Sequence, residues 1–433
     1  MPIEEGSIVK DIIVRRYDLV RVSDCVRLGK EPSRSDPLGN LQRQMIEAFL
    51  RNLMTNRRSG RDNLQASEFA GSLRPFEEAL TLAPRAYVDP EFYRLEVENI
   101  FRREWISVGR VEQLANVGDY FALDLFHEPI VVVRGNDDEI RAMSSVCRHR
   151  AMPIVDGAGN RRSFQCPYHL WTYSLDGKLL GAPGMDSVAD FDKNKCAALP
   201  SLRTEIWEGW IFVNFDSDAT LLAPALEPMR RELAAFRFAD FCATEPLVFD
   251  SPWNWKIVVY NFMESYHHMG IHPDTLQPWF PAIGTYADDV DGPYAILHNP
   301  TEGRCEFETA LPAREGLSHQ YRSEFVVACV FPFHLFSCAP DSMQYFQVIP
   351  DGPEHLTLKI YQCVADEVRD DPEWQKAIEG SRAYLDQINQ QDIVANTGVQ
   401  RGYRSAFAEP GLYAPQEKAL WQFHRWLLQR VFG

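Results

Sequence analysis

The amino-acid sequence predicts an α+β fold, with a small all-β unit in the first half of the chain and a larger domain of antiparallel strands and segregated helices after it. Three observations carry this reading. Strand-like residues at 130–133 and 165 alternate with turn signals at 157–160 and 176–177. Further on, 207–215 and 324–338 read as strands, and 344–349 with 356–364 as a hairpin across 350–355. Helical periodicity covers 230–238, 372–402 and 416–431, set apart from those strands as in α+β domains.

At 433 residues and 45% hydrophobic content, the chain can bury a sizeable core and divides into two domains plus an extension. The expected boundaries are an N-terminal extension over 1–84, partly disordered, a lead-in helix over 85–103, the β unit over 104–216 and the larger domain over 217–433. Within the extension, Leu41, Met45, Phe49 and Leu53 share one face of a short helix between polar flanks. A net charge of −17 argues against a nucleic-acid partner. Seven of the nine cysteines show no paired spacing, and with no apolar run of membrane-spanning length and no signal-peptide pattern this leads us to expect a reduced, cytoplasmic protein that binds no membrane.

Two sets of metal-ligand residues stand out. Cys147 and His149 occur as C-R-H, and Cys166 and His169 as C-P-Y-H, so each half offers one thiolate and one imidazole. That division suits a [2Fe-2S] cluster with one iron on two Cys and the other on two His, which has a higher reduction potential than an all-Cys cluster. A Cys2His2 zinc site is the rival, but zinc fingers pair Cys with Cys and His with His. Two mixed loops on a β unit fit the cluster better.

CRHR at 147–150 and CPYHLWTYSLDGKLLGAP from Cys166 resemble the Rieske domain of ring-hydroxylating-type oxygenases. Family members often carry Gly after the CxHR unit, where this chain has Ala151.

The second set lies in NWKIVVYNFMESYHHMGIHPDTL, where His267, His268 and His272 crowd together. Bare helical periodicity pairs His268 with His272. With Gly270 read as a residue just past a helix end and Pro273 as a stop, His267 instead becomes the last helical ligand, and His272 returns from the loop. Glu264 then shares a helical face with His267. This stretch also resembles the E-x-Y-H-x4-H-P segment of Rieske oxygenases, which implies His267 and His272 as iron ligands and leaves His268 a pocket-lining or hydrogen-bonded role. A two-histidine ferrous site wants one carboxylate. Asp392 is the candidate, expected with Leu385 and Ile388 on the buried stripe of the 372–402 helix. Read alone, Asp392 suggests an ion pair with Arg401 or Arg404. QQDIVANTGVQRG resembles the family segment whose Asp completes the iron site, with Gln391 in place of the usual first acid.

The resemblance implies a helix-grip catalytic domain, a [2Fe-2S] cluster, a mononuclear non-haem Fe(II) and a homotrimer. In that trimer Glu264 bridges His169 of one subunit and His267 of the next. No G-x-G-x-x-G follows a strand, so a separate NAD(P)H-dependent reductase, with or without a ferredoxin, is expected to supply electrons. The expected reaction uses O2 to hydroxylate an aromatic or other small organic molecule beside Trp279, Phe280, Phe331, Phe333 and Phe336. Oxidation of a trimethylammonium compound, held by cation–π attraction, is the alternative. A pure electron carrier, a zinc hydrolase and a ligand-binding module are the competing classes.

Overall fold

Antiparallel hairpins build both large sheets, and the residues at their turns explain why. The computed structural model describes residues 64–433 apart from Ala197, so the helix expected around Leu41–Leu53 lies outside the described residues. Strands β1 (Ile106–Arg110), β2 (Asp119–Leu125), β3 (Glu128–Arg134), β4 (Ile140–Ser144) and β5 (Ala158–Asn160) begin the first sheet. A small sheet follows, made of β6 (Phe164–Gln165), β7 (Thr172–Tyr173) and β8 (Leu179–Gly181). β9 (Ser201–Trp207) and β10 (Trp210–Asn214) then return to complete a seven-stranded sheet ordered β1-β10-β9-β4-β3-β2-β5.

Two sequence expectations change here. The turn expected over 157–160 is Gly157 alone (φ 64°), after which residues 158–160 pair with β2. The strand expected over 207–215 is the β9–β10 turn plus β10. Glu208 and Gly209 both have positive φ (49° and 86°), as a two-residue turn matching the strand twist requires. A Cβ on Gly209 would also lie 2.7 Å from the Arg110 guanidinium.

The second sheet contains β11 (Phe241–Ala243), β12 (Leu247–Ser251), β13 (Tyr286–Ala287), β14 (Tyr294–Pro300), β15 (Glu324–Val330), β16 (His334–Cys338), β17 (Ser342–Gly352) and β18 (His355–Ala365). Its order is β11-β18-β17-β16-β15-β14-β13, with β12 also on β18. The single strand expected over 324–338 is the β15–β16 hairpin. Pro332 sits in its turn, because a residue without an N–H cannot occupy a central strand.

Phe336, Tyr345 and Tyr361 on one face of this sheet pack with Trp207, Trp210 and Phe212, so the two sheets share a core. Arg110 is buried there, 5.0 Å from the Trp210 ring. It pairs with Glu112 at 2.7 Å and donates to the Phe241 carbonyl at 2.6 Å, which offsets part of the cost of a buried charge, although its Nη1 has no partner.

Helices lie on both sides of the second sheet, one of them packing Leu222, Leu226 and Met229 into the shared core. We label them α1 (Pro90–Glu96), α2 (Leu222–Glu232), α3 (Trp255–Phe262), α4 (His268–Ile271), α5 (Gln375–Tyr403) and α6 (Lys418–Phe432). The helix expected over 230–238 begins earlier, as α2, and is followed by 3-10 turns on either side of Arg237, whose φ of 56° interrupts any helix. The Asn254 side chain accepts from Lys256 N (3.0 Å) to cap α3, and Gln400 of α5 accepts from Asn254 N (2.8 Å). Lys256 Nζ meets Glu96 at 2.5 Å with both side chains fully buried. Burial pushes the Glu96 pKa up and the Lys256 pKa down. Removing one partner of such a pair costs about 3–5 kcal/mol.

α5 does not bury an apolar stripe. Its buried residues are Ile378, Asn389, Asn396 and Gln400, while Leu385 and Ile388 are only half-buried. Gln400 shows why, since it also donates to Glu354 at 2.7 Å and so joins the helix to the rest of the fold through polar contacts. Within the N-terminal extension, residues from Ala66 onward are packed. The Phe69 ring lies 5.2 Å from Phe92 and 5.5 Å from Phe432 of α6.

Candidate metal centres

The two Cys–His loops are local copies of each other. In the loop after β4, Ala151 N donates to Cys147 O (3.0 Å) and Cys147 N to Met152 O (2.9 Å). In the β6–β7 loop, Leu170 N donates to Cys166 O (3.0 Å) and Cys166 N to Trp171 O (2.8 Å). Ala151 (φ 56°) and Leu170 (φ 61°) take the same left-handed conformation at the same place. Both thiols are buried, and the His149 and His169 rings lie 4.6 Å apart between centroids. His149 stacks on Trp171 at 4.9 Å. Tyr173 Oη accepts from Arg148 N (3.0 Å) and lies 3.3 Å from Cys147 Sγ, so its proton is available to the sulfur. His149 Nδ1 is buried without a hydrogen-bond partner. A buried donor atom left bare beside two buried thiols fits a metal cluster.

The second set differs in backbone from the sequence expectation. α3 ends at Phe262, and His267 and His272 flank the one-turn helix α4 as its N-cap and C-cap residues. Gly270 lies inside that turn and is not left-handed. A break in the helix between Phe262 and His268 therefore brings together two histidines that would diverge on one helix.

Both rings meet Asp392 of α5. Its Oδ1 is 2.9 Å from His272 Nε2 and 3.8 Å from His267 Nε2, and the three donor atoms lie within 4.8 Å of one another. Each Nδ1 is occupied elsewhere. That of His267 lies 2.6 Å from Glu264 Oε1, and that of His272 lies 2.7 Å from Gln391 Oε1. Acceptors on both Nδ1 atoms leave each Nε2 lone pair facing the carboxylate, the tautomer a metal requires. Burial disfavours charge on His267, but the Glu264 and Asp392 carboxylates outweigh it and raise its pKa.

His268 is turned away, with Nδ1 3.0 Å from the Phe280 carbonyl. Burial, then the neighbouring His267, lower its pKa to about 4 and keep it neutral. Arg404 pairs with Glu354 at 2.8 Å rather than with Asp392. Sequence reasoning missed Asn261, which donates to Asp392 Oδ1 at 2.8 Å, and Thr275, which donates to Gln391 at 2.9 Å. No periodic signal marks either one.

The aromatic residues expected around the substrate are largely elsewhere. Phe331 packs on Phe423 and Trp426, Phe333 on Trp255 and Phe101, and Phe336 on Trp210. Trp279 is exposed, and Phe280 packs on Phe307 and Phe325. Phe336 points from β16 into the core between the sheets, while Phe331 and Phe333 lie in the β15–β16 turn and pack against the helices. The sheet face toward α3 and α5 instead carries Ser337, Gln344 and Gln362 in register, with Phe346 against Phe262 and Gln362 bonded to Ser381.

Residues 104–192 match the Rieske [2Fe-2S] domain, and residues 238–433 match the ring hydroxylating alpha subunit (catalytic domain). The chain thus carries a Rieske [2Fe-2S] domain and the catalytic domain of a ring hydroxylating alpha subunit. A [2Fe-2S] cluster and a mononuclear non-haem iron are the cofactors of such domains, so the zinc-finger reading of the first set falls away. The chain is 32% identical over 246 residues to the carnitine monooxygenase oxygenase subunit of Escherichia coli (strain K12). That alignment covers 55% of this chain and 64% of the relative, somewhat less than two thirds of its length. A solved quaternary ammonium Rieske monooxygenase, described in connection with carnitine oxidation and inter-subunit electron transfer, superposes with a TM-score of 0.72 at 25% identity, covering 85% of this chain and 99% of that one. Naphthalene 1,2-dioxygenase from Rhodococcus sp. shares the fold, with a TM-score of 0.70 at 20% identity, covering 86% of this chain and 98% of the other. Among the described residues, no helix is long and apolar enough to cross a membrane.

Proposed function

We propose that this chain is the terminal oxygenase of an electron-transfer system, using O2 to oxidise a small organic substrate beside His267, His272 and Asp392. One observation carries the reading: two separate donor sets occur in one chain, and both histidines of the second have their Nδ1 occupied and their Nε2 aimed at one carboxylate. When bound, the cluster supplies electrons one at a time and the mononuclear iron supplies activation of dioxygen.

The protein's own residues orient and insulate. Asn261 holds Asp392 by a hydrogen bond, Gln391 and Glu264 fix the two imidazoles, and Thr275 fixes Gln391. Cys147, His149, Cys166 and His169 hold the cluster, with Tyr173 directed at one sulfur.

We assign Glu264 the role of bridge to His169 of a neighbouring copy in a closed homotrimer. Two separate exposed apolar groups support it. Met152, Tyr168 and Leu170 lie at the cluster loops, and Tyr266, Met269 and Trp279 lie beside the iron ligands. A ring needs two different complementary patches on each subunit. Electrons come from a separate reductase. The eight free cysteines among the described residues support a cytoplasmic setting.

For the substrate we favour a trimethylammonium compound over an aromatic hydrocarbon. The carnitine monooxygenase subunit and the quaternary ammonium monooxygenase named above support this, as does the polar Ser337–Gln344–Gln362 row on the sheet face toward α3 and α5, where a hydrocarbon pocket would want apolar side chains. The test is anaerobic reduction of iron-loaded protein, then one oxygen pulse with pooled trimethylammonium compounds, aromatic acids and neutral aromatics, with products read by mass. Trimethylamine, an aldehyde or formaldehyde from the cation pool is expected. A ring-oxygenated product would replace the substrate reading, and no oxygen-dependent product from any pool would sink the oxygenase reading.

A further inference from the structure

We propose that Glu232, Asp288 and His298 form a second divalent-metal site, separate from the iron ligands and placed where the end of α2 meets the edge of the catalytic sheet. The three donor atoms lie within 4.8 Å of one another, the same spread as His267, His272 and Asp392. His298 Nε2 is 3.3 Å from Asp288 Oδ2 and 3.9 Å from Glu232 Oε1, against 2.9 Å and 3.8 Å for the two imidazoles and Asp392.

The histidine is built into place. His298 is 1% exposed on β14, and its ring lies flat on that of its cross-strand neighbour Tyr286, 4.6 Å away at 5°. Its Nδ1 is 3.0 Å from Glu324 Oε2, and the other oxygen of that carboxylate is paired with Arg304 at 2.6 Å. A carboxylate on Nδ1 whose own charge is balanced elsewhere is the arrangement that orients a metal-binding histidine with Nε2 outward.

What Nε2 faces is the second, independent point. Two carboxylates from different elements converge on it, Glu232 from the last turn of α2 and Asp288 from the chain after β13. Among the described residues, no Lys or Arg lies within ion-pair distance of either one. Lys418 pairs with Asp289, and the Asp288 pKa is lowered first by the His298 hydrogen bond and by Lys418 only from further off. The two carboxylates share a side-chain hydrogen bond, so a proton between them and one on Nε2 are what a divalent ion would displace. One imidazole and two carboxylates with room for water suit Zn2+ or Mn2+. Glu232 is 40% exposed, which gives an ion a way in. Bound there, the ion ties α2, which follows the Rieske unit, to the catalytic sheet.

The experiment uses full-length protein with its cluster intact and the iron site disabled by Asp392→Ala with His272→Ala. It is incubated with Zn2+, desalted and assayed for zinc, and then compared with the same protein carrying Glu232→Gln and Asp288→Asn. One zinc per chain is expected in the first and none in the second. X-ray absorption at the zinc edge should show one nitrogen and at least two oxygen neighbours, and zinc should raise the melting temperature of the first protein only. No bound zinc in the first, which would leave a proton alone between the carboxylates, would overturn the proposal. So would equal zinc in both, or an edge spectrum with two nitrogens.

Discussion

Gln391 accepts a hydrogen bond from His272 Nδ1 at 2.7 Å, while the opposite nitrogen of the same ring lies 2.9 Å from Asp392. Two consecutive residues of α5 thus hold both edges of one imidazole. The amide fixes the ring as firmly as a carboxylate would, but it carries no charge to raise the basicity of the imidazole.

Gln391→Leu removes that acceptor without touching a ligand. Loss of such a partner weakens metal binding or activity about 10–100-fold. We expect iron affinity, read by chelator competition, to fall in that range with the cluster spectrum unchanged, and Gln391→Glu to bind iron at least as tightly as the parent. Unaltered affinity in the leucine variant would mean that the ring is held by other contacts.

The histidines separate by their partners. Asp392→Ala and His267→Ala should retain the cluster spectrum and abolish oxygen-dependent turnover. His268→Gln should retain iron and turnover, because its Nδ1 serves the Phe280 carbonyl rather than the converging donor set. Iron lost from the His268 variant, with the fold intact, would reverse the choice of ligand.

The residues that converge in the two donor sets were legible in the sequence because their chemistry is: paired Cys–His loops, clustered histidines and a carboxylate downstream. The backbone that joins them was less so. Glu264 meets His267 as expected, yet across an interruption of the helix after Phe262 rather than along one helical face, since short-range periodicity cannot see a helix that stops and restarts within five residues. α5 misled for another reason. Burial on it falls on Ile378, Asn389, Asn396 and Gln400, the last bonded to Asn254 and Glu354 across the fold, so the stripe through Leu385, Ile388 and Asp392 runs along the half-buried edge of that face rather than through its apolar centre. Phe331, Phe333 and Phe336 show the same limit, because an aromatic run says that its side chains are buried and not what buries them.

Glu264 carries the electron-transfer reading. Glu264→Gln keeps a hydrogen-bonding side chain beside His267 Nδ1 while removing the charge. Both metals should remain bound, and oxidation of the reduced cluster after mixing with oxygen and substrate, followed by stopped-flow absorbance, should slow. An unchanged rate would remove Glu264 from the path.

Ala151 stands where the chain is left-handed, with φ of 56°, beside Cys147. A side chain in that conformation costs about 1–2 kcal/mol that glycine avoids. Ala151→Gly should therefore stabilise the loop, seen as a higher denaturant midpoint for loss of the cluster absorbance. A lower midpoint would mean that the methyl group packs favourably enough to outweigh the strain.

His355, at the start of β18, sits between two carboxylates, with Nδ1 2.6 Å from Asp351 and Nε2 2.7 Å from Asp250. The Asp351 hydrogen bond, opposed by burial and helped by Asp250, raises its pKa above the ordinary histidine value. A raised folded-state pKa means that the protonated ring favours the folded chain. Its contribution is complete below about pH 6.5, the unfolded value, and fades as pH climbs through the higher folded one. Because the site is partly exposed, the effect should stay below about 1 kcal/mol. The stability difference between the parent and His355→Gln, from chemical denaturation, should therefore be larger at pH 6 than at pH 9. An equal difference at both pH values would show that the ring holds the β17–β18 hairpin by shape alone.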